Sequence, residues 1–168
     1  FDSWSGMSLA TRVEYIQKIL QEYMKRKDRV AEALQRELGA PQALAHEQQA
    51  MLFPMHLSTV LKIAKDFEWT EDIGRSILVK EPIGVVGCIT PWNWPTNQIG
   101  AKIGPALLAG CTVVLKPSEV TPVNAIIIAE AIHAAGLPPG VFNLVNGRGR
   151  ETGQPLATHS KVSMVSFT

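Results

Sequence analysis

Residues 81–119 read EPIGVVGCITPWNWPTNQIGAKIGPALLAGCTVVLKPSE, and this stretch decides the fold. Two apolar runs of strand length, residues 83–89 and 112–115, enclose a segment whose apolar residues recur at helical spacing. That segment covers residues 95–109, and Gly110 is placed to end it. Apolar runs without polar alternation are typical of strands covered on both faces. The order strand, helix, strand therefore predicts a crossover between two parallel strands.

A polar turn follows each of these strands. The first turn is TPWNWP at residues 90–95, where two prolines fix the backbone around one amide side chain and two indoles. The second turn is KPSE at residues 116–119, where a cation and a carboxylate flank a rigid turn. Ligands of open α/β sheets bind outside the carboxyl ends of the strands. The sequence therefore predicts a functional site built from these two turns.

Strand and helix continue to alternate after the second turn. A helix opened by a proline covers about residues 121–133, a strand follows at 141–145, and a glycine-rich turn occupies 147–153. A short helix and a final strand at 161–167 come next. This alternation predicts an α/β fold in which N-terminal helices precede a doubly wound, mostly parallel, Rossmann-like sheet.

Helical periodicity dominates the chain before this sheet. Ser8 is placed to cap the first long helix, and a second helix starts at Asp28 and ends at Gly39. A third helical region covers residues 42–67, and it contains Pro54, which should kink or split it.

The chain is expected to have three parts. Residues 1–65 form an N-terminal helical part, and residues 81–168 form an incomplete nucleotide-binding core. Between them, residues 66–80 lose the helical periodicity and fit either a hairpin or an irregular arm.

Composition excludes several classes of protein. A chain of 168 residues with 46% hydrophobic and 18% charged residues fits one compact, soluble domain. A net charge of +1 offers no broad basic field, so neither nucleic acid nor an anionic membrane is an expected partner. No apolar run approaches the ~20 residues that cross a bilayer, and the expected location is cytoplasmic.

The cysteines and histidines give no sign of a metal site. Cys88 and Cys111 fall within or beside predicted strands, so buried, reduced thiols are expected. His46 and His56 lie in the third helical region without a carboxylate or cysteine at ligand spacing. We therefore expect no bound metal, and packing or surface roles for both histidines.

Several motifs resemble the aldehyde dehydrogenase superfamily. They are PWNWP at 91–95, GPAL at 104–107 and KPSE at 116–119, and the match continues from AGLPPGVFN at 135–143 to SFT at 166–168. The resemblance is strong from Glu81 onward and loose before it. It implies the front portion of an enzyme that oxidises an aldehyde to a carboxylic acid through a covalent thiohemiacetal and thioester.

The same resemblance sets limits on what this chain does alone. The family's nucleophilic cysteine and water-activating glutamate are expected beyond Thr168, so the chain by itself is expected to be inactive. The arm at residues 66–80 matches a segment that helps join subunits, and a homodimer or homotetramer is expected for the full-length protein.

Asn93 is the residue that the resemblance places in catalysis. A carboxamide fixed between Trp92 and Trp94 can donate to an oxygen that becomes negative during reaction, as in an oxyanion hole. Without the surrounding motif, an asparagine that completes a turn is the simpler reading.

Lys102 matches a lysine proposed to relay protons, although a stem packed on the sheet with its ammonium in solvent fits as well. The aldehyde tunnel would be lined by Trp94, Asn97, Gln98 and Ala101.

The resemblance also implies a cofactor surface for NAD. Lys116 and Glu119 match the residues that bind the adenosine ribose, and an acid here would repel a 2′-phosphate, which favours NAD while leaving NADP as an alternative. From the residues alone, a solvated ion pair and a plain glycine-rich turn are the competing readings. The complete set of expected cofactor contacts is Ile89, Thr90, Pro91, Trp92, Lys116, Ser118, Glu119, Gly149 and Gly153.

Two other functions stay open at this point. One is a non-catalytic module that binds nucleotide or forms oligomers. The other is a related reductase of acyl phosphates or acyl thioesters, which would share the fold.

Overall fold

The computed structural model describes residues 1–168. Its helices are α1 (Asp2–Ser5), α2 (Leu9–Met24), α3 (Lys27–Leu38), α4 (Ala50–Ile63), α5 (Pro95–Ala109), α6 (Pro122–Ala134) and α7 (Gln154–Thr158). Its strands are β1 (Thr70–Ile73), β2 (Ser76–Val79), β3 (Val85–Ile89), β4 (Thr112–Lys116), β5 (Phe142–Leu144) and β6 (Met164–Phe167). Two π-helical turns, Leu44–Gln49 and Gly149–Gly153, precede α4 and α7.

The N-terminal helices begin and end close to where the sequence predicts. Ser8 caps α2 by accepting a hydrogen bond from the backbone N–H of Thr11 at 3.1 Å, which confirms the predicted cap. The next helix begins at Lys27, one residue before the predicted start. Gly39 ends it with a left-handed backbone, φ 65°, a conformation that glycine adopts without strain.

Pro54 does not split its helix, so that part of the prediction was wrong. The helix α4 continues from Ala50 to Ile63, and the irregular π-helical turn lies before it rather than at the proline. Pro54 has no N–H to donate to the carbonyl of Ala50. The hydroxyl of Tyr23 donates to that carbonyl instead, at 2.7 Å. Burial raises the pKa of Tyr23, so the hydroxyl keeps its proton and remains a donor.

A four-stranded sheet with every pair parallel lies at the centre of the fold. The strand order is β5-β4-β3-β6, so the chain moves outward from β3 in one direction and then returns to its other side. The predicted crossover and the parallel sheet are therefore confirmed. The order reverses between β3 and β6, and this switch point is where sheets of this kind bind their ligands.

Helices cover both faces of this sheet. Val86, Cys88, Val113 and Leu115 are buried in one core with the apolar residues of α5 and α6. Gly87 points to the opposite face, where a Cβ atom would lie 3.2 Å from the side chain of Leu156, just after the start of α7. The doubly wound arrangement predicted from the sequence is therefore present.

The helices α4 and α5 pack closely and run in the same direction. A Cβ atom on Gly100 would lie 3.0 Å from the Cα of Phe53, and one on Gly104 would lie 3.1 Å from the side chain of Leu57. Only glycine allows so close an approach of the two backbones. As a consequence, the start of α4 lies beside the turn that leads from β3 into α5.

Residues 66–80 contain an antiparallel hairpin, so the first of the two predicted alternatives is the one that forms. The strands β1 and β2 pair with each other and not with the central sheet, and all eight of their residues are exposed. The strands β5 and β6 are shorter than predicted, and β6 begins three residues after the predicted start. No helix in the molecule has the length and apolar character needed to span a membrane.

Candidate functional site

The register of the sheet brings the two predicted turns to the same edge. Ile89 pairs with Lys116 on one side and with Phe167 on the other, so the ends of the three strands are level. Two hydrogen bonds extend these ladders, from the N–H of Thr90 to the carbonyl of Lys116 and from the N–H of Thr168 to the carbonyl of Ile89. The side chains that follow these strands therefore border one crevice.

Asn93 lies exposed in the turn after β3. Its side chain forms no hydrogen bond within the chain, so both N–H donors of the carboxamide are free. Trp92 is 53% exposed, whereas Trp94 is half-buried at the N-terminus of α5. The amide is thus available to a ligand rather than used to complete the turn, the alternative that the sequence left open.

The support beneath this turn comes from a residue that the sequence analysis missed. The side chain of Gln49 donates from Nε2 to the main-chain carbonyl of Asn93, at 3.4 Å. The hydroxyl of Thr96 in turn donates to the main-chain carbonyl of Gln49. A polar residue on the apolar face of a helix was the signal that would have found Gln49. The sequence itself predicts rigidity only from the indoles and prolines of the turn.

Lys116 is buried, which excludes an ordinary solvated ion pair. It is 2% exposed, and its Nζ donates to the carbonyl of Pro117 at 2.8 Å and lies 3.4 Å from Oε2 of Glu119. The carboxylate of Glu119 is exposed. Hydrogen bonding with its own backbone, together with attraction to Lys116 and Arg148, holds the pKa of Glu119 below its usual value. The turn therefore presents a permanent negative charge to solvent above a buried ammonium group.

The glycine-rich segment lies against this lysine. A Cβ atom on Gly153 would be 3.5 Å from Cδ of Lys116 and 4.0 Å from Cδ1 of Ile89. Gly149 is different, because nothing lies within 4 Å of the corresponding position. The structure thus brings Gly153, Lys116 and Ile89 together, and it leaves open space beside Gly149.

Lys102 connects α5 to the end of β6. Its Nζ donates to the hydroxyls of Ser166 at 3.0 Å and Thr168 at 2.8 Å. The same lysine lines a cleft of about 350 Å³ together with Val86 and Met164. Its ammonium group is therefore held near the switch point by two hydroxyls, and its role in proton transfer stays a prediction.

The expected tunnel residues differ in their environment. Asn97 is half-buried, and its Oδ1 lies 2.7 Å from Nε2 of His56 on α4. Gln98 is also half-buried, and Ala101 is exposed on the same side of α5. The partnership of His56 with Asn97 was not predicted, although a packing role for the histidine was.

Neither cysteine of this chain is suited to be a nucleophile. Cys88 and Cys111 are buried free thiols, as predicted. Burial raises the pKa of the Cys88 thiol to about 11, so it is protonated at neutral pH.

A parallel, doubly wound sheet with polar turns at its switch point defines an α/β domain of the nucleotide-binding type. The model of the aldehyde dehydrogenase family matches residues 1–168, and this chain belongs to that family. It is 47% identical over 169 residues to 3-succinoylsemialdehyde-pyridine dehydrogenase from a Pseudomonas species, a match that covers 100% of this chain and 35% of that protein. The chain thus spans about a third of the length of the curated relatives it matches.

Solved structures agree with this assignment. The crystal structure of an aldehyde dehydrogenase from Bartonella henselae superimposes with a TM-score of 0.95 at 43% identity, covering 99% of this chain and 36% of that one. A mutant of aldehyde dehydrogenase C from Pseudomonas syringae, crystallised with NAD+ and octanal, gives a TM-score of 0.96 at 43% identity. That match covers 99% of this chain and 34% of the Pseudomonas chain.

Proposed function

We propose that the full-length product of the reading frame encoding this chain is an NAD-dependent aldehyde dehydrogenase that oxidises an aldehyde to a carboxylic acid. The observation that carries the proposal is the free carboxamide of Asn93, held at the switch point of a nucleotide-binding sheet. A donor in that place serves an oxygen that gains negative charge during reaction. Family membership supports the same reaction class.

The residues at the carboxyl edge fit a dinucleotide. The buried Lys116 and the exposed Glu119 offer a donor and an acceptor to ribose hydroxyls, and Gly153 leaves room beside the stem of the lysine. The hydroxyl of Thr90 at the same edge is buried and has no hydrogen-bond partner within the chain, so it is free to donate to a bound ligand. When bound, NAD supplies an acceptor for the hydride that leaves the aldehyde carbon.

The wider cofactor surface is proposed from the family pattern. Ile89, Thr90, Pro91 and Trp92 would lie along the cofactor, and Ser118 and Gly149 would border its adenosine end. The negative charge of Glu119 repels a 2′-phosphate, so NAD is the proposed cofactor rather than NADP.

Asn93 and Lys102 are the proposed catalytic groups of this chain. The carboxamide of Asn93 would donate to the substrate oxygen when a thiolate adds to the carbonyl carbon. Because both cysteines of this chain are buried, we propose that the thiolate comes from another part of the protein. The ammonium group of Lys102 would hold or pass a proton near the end of β6.

The aldehyde would approach along the N-terminal half of α5. The proposed lining residues are Trp94, Asn97, Gln98 and Ala101; the first three are half-buried and Ala101 is exposed.

The hairpin of β1 and β2 is the proposed element that joins subunits. Its strands expose Ile73, Ile77, Leu78 and Val79, which is unusual for a hairpin that stays in solvent. We therefore propose a homodimer or homotetramer for the full-length protein. In this division, residues 1–65 and 81–168 build the cofactor-binding part and residues 66–80 form the arm.

Replacement of Asn93 by alanine in the full-length protein tests the function. Loss of one oxyanion donor lowers kcat by about 100- to 1,000-fold. The measurement is the rate of NADH formation with a series of aldehydes, and Gln21→Ala, which removes an exposed amide from α2, is the control. An unchanged kcat in Asn93→Ala would remove the proposed role.

A further inference from the structure

Gln49 is a polar side chain on an apolar helix face. It is 4% exposed, and its neighbours toward α5 and the core, Ala45, Ala50 and Phe53, are fully buried. Burying an amide costs free energy unless the amide is hydrogen-bonded. Its Oε1 nevertheless has no partner, and Nε2 makes one hydrogen bond, to the main-chain carbonyl of Asn93. The one hydrogen bond that this side chain makes is therefore to the main chain of Asn93, the proposed oxyanion donor.

A second bond connects the same two segments in the opposite direction. The hydroxyl of Thr96, which is fully buried, donates to the main-chain carbonyl of Gln49. Asn93 is thus fixed from one side through its own carbonyl and from the other through the first turn of α5. Both hydrogen bonds involve Gln49, one through its side chain and the other through its main-chain carbonyl.

The local backbone explains how Gln49 reaches this place. It is the last residue of the π-helical turn Leu44–Gln49, which runs directly into α4. A π-helical turn holds an extra residue, and such turns often mark functional sites. The close packing at Gly100 then sets α4 directly beneath the start of α5.

We propose that Gln49 is a positioning residue that orients the carboxamide of Asn93, with Thr96 as its partner. The inference rests on the proposed function of Asn93. By holding the peptide that follows Asn93, the amide of Gln49 fixes the direction in which that side chain points. Loss of the bond lets the carboxamide turn away, so transition-state stabilisation falls while aldehyde binding is kept.

The test uses Gln49→Met in the full-length protein, because methionine keeps the length of the side chain and removes the donor. We expect kcat to fall by about three- to tenfold, the usual worth of one hydrogen bond. The KM for the aldehyde should stay within about twofold. Gln48→Met, at the exposed neighbouring glutamine, is the matched control and should leave kcat unchanged.

A double-mutant cycle separates positioning from general packing. If Gln49 acts through Asn93, Gln49→Met has no further effect on kcat in an Asn93→Ala background. An equal loss in both backgrounds would overturn the inference, as would a lowered melting temperature with an unchanged kcat. Should Gln49→Met fail to fold, Thr96→Val carries the same cycle. An unchanged kcat in Asn93→Ala alone would instead overturn the proposed function, so the two failures are distinguishable.

Discussion

The two turns at the carboxyl edge of the sheet are built in opposite ways. The turn after β4 supplies its own partners: Lys116 bonds to Pro117 and Glu119, and the hydroxyl of Ser118 accepts the N–H of Val120. The turn after β3 leaves the carboxamide of Asn93 free and depends on a helix from outside. A surface that holds a stable ligand can be formed locally. A donor that serves a short-lived charge must stay unpaired, so its orientation has to come from elsewhere.

The turn after β4, which supplies its own hydrogen-bond partners, is tested most directly by Lys116→Met. Methionine keeps the buried stem but loses the ammonium group, and hydrogen bonds to charged groups are worth ~1.5–3 kcal/mol. We expect the KM for NAD to rise by about 10- to 100-fold while kcat changes by less than about threefold. Steady-state kinetics with varied NAD measure both quantities, and Lys65→Met at an exposed lysine is the control. A fall in kcat at constant KM would contradict the division of roles between the turns.

The turn after β3 depends on its contact with the start of α4, and Gly100→Ala tests the packing of α4 on α5 that makes this contact possible. The added Cβ would lie 3.0 Å from the backbone of Phe53, so α4 must move away from α5. We expect the free energy of unfolding to fall by about 1–3 kcal/mol, as measured by urea denaturation. Gly153→Ala is the matched control, because its Cβ would make an ordinary 3.5 Å contact with Lys116 and its φ is −68°. Equal stability of the two variants would show that the helices do not need their close approach.

We expect cofactor choice to depend on the exposed charge of Glu119 in the turn after β4, and Glu119→Gln removes that charge. Two unit charges about 4 Å apart in water repel by ~1 kcal/mol, so the ratio of kcat/KM for NADP over NAD should rise by about fivefold. Because the pKa of Glu119 is lowered, the carboxylate is ionised throughout the neutral range. Glu119 should therefore add no pH dependence to the wild-type ratio between about pH 7 and pH 8, where a 2′-phosphate is also mostly doubly ionised. A ratio that Glu119→Gln leaves unchanged would assign cofactor choice to other residues.

The smallest effect is expected beneath the turns, at Cys88. Its folded-state pKa is about 11 and lies above the unfolded value, so the contribution to stability is complete below about pH 8.5 and is lost as the pH rises toward 11. Relative to Cys88→Ala, the wild-type chain should lose on the order of 1 kcal/mol of unfolding free energy between about pH 9 and pH 10.5. At neutral pH, mass mapping after treatment with iodoacetamide should find Cys88 unlabelled. Rapid labelling there would mean that the sheet under the first turn is loosely packed.

Patterns within single elements made most of the fold predictable. The apolar runs of β3 and β4, the glycine after α5 and the cap at Ser8 are local signals, and each formed close to its predicted place, although β3 begins two residues later than predicted. The turns were placed at one edge because parallel strands end at the same side of a sheet. What escaped prediction depends on distant parts of the chain. Gln49 and Asn93 are 44 residues apart, and no periodicity reports such a contact.

Pro54 shows the same limit in a different way. From sequence, a proline within a helix predicts a break, because the local rule counts one missing donor. The donor that compensates comes from Tyr23, 27 residues before the carbonyl that it satisfies. Tertiary contacts therefore decide whether a local rule is obeyed.

The hydroxyl of Tyr23 also makes the hydrogen bonding of α4 depend on the position of α2. The carbonyl of Ala50 gains its donor only when α2 is in place, so α4 reaches full hydrogen bonding through its neighbour and not by itself. If α2 swings away, water has to enter α4 at its first turn, immediately after Gln49. A local opening of the N-terminal layer would thus reach the turn that carries Asn93, with no need for the sheet to unfold.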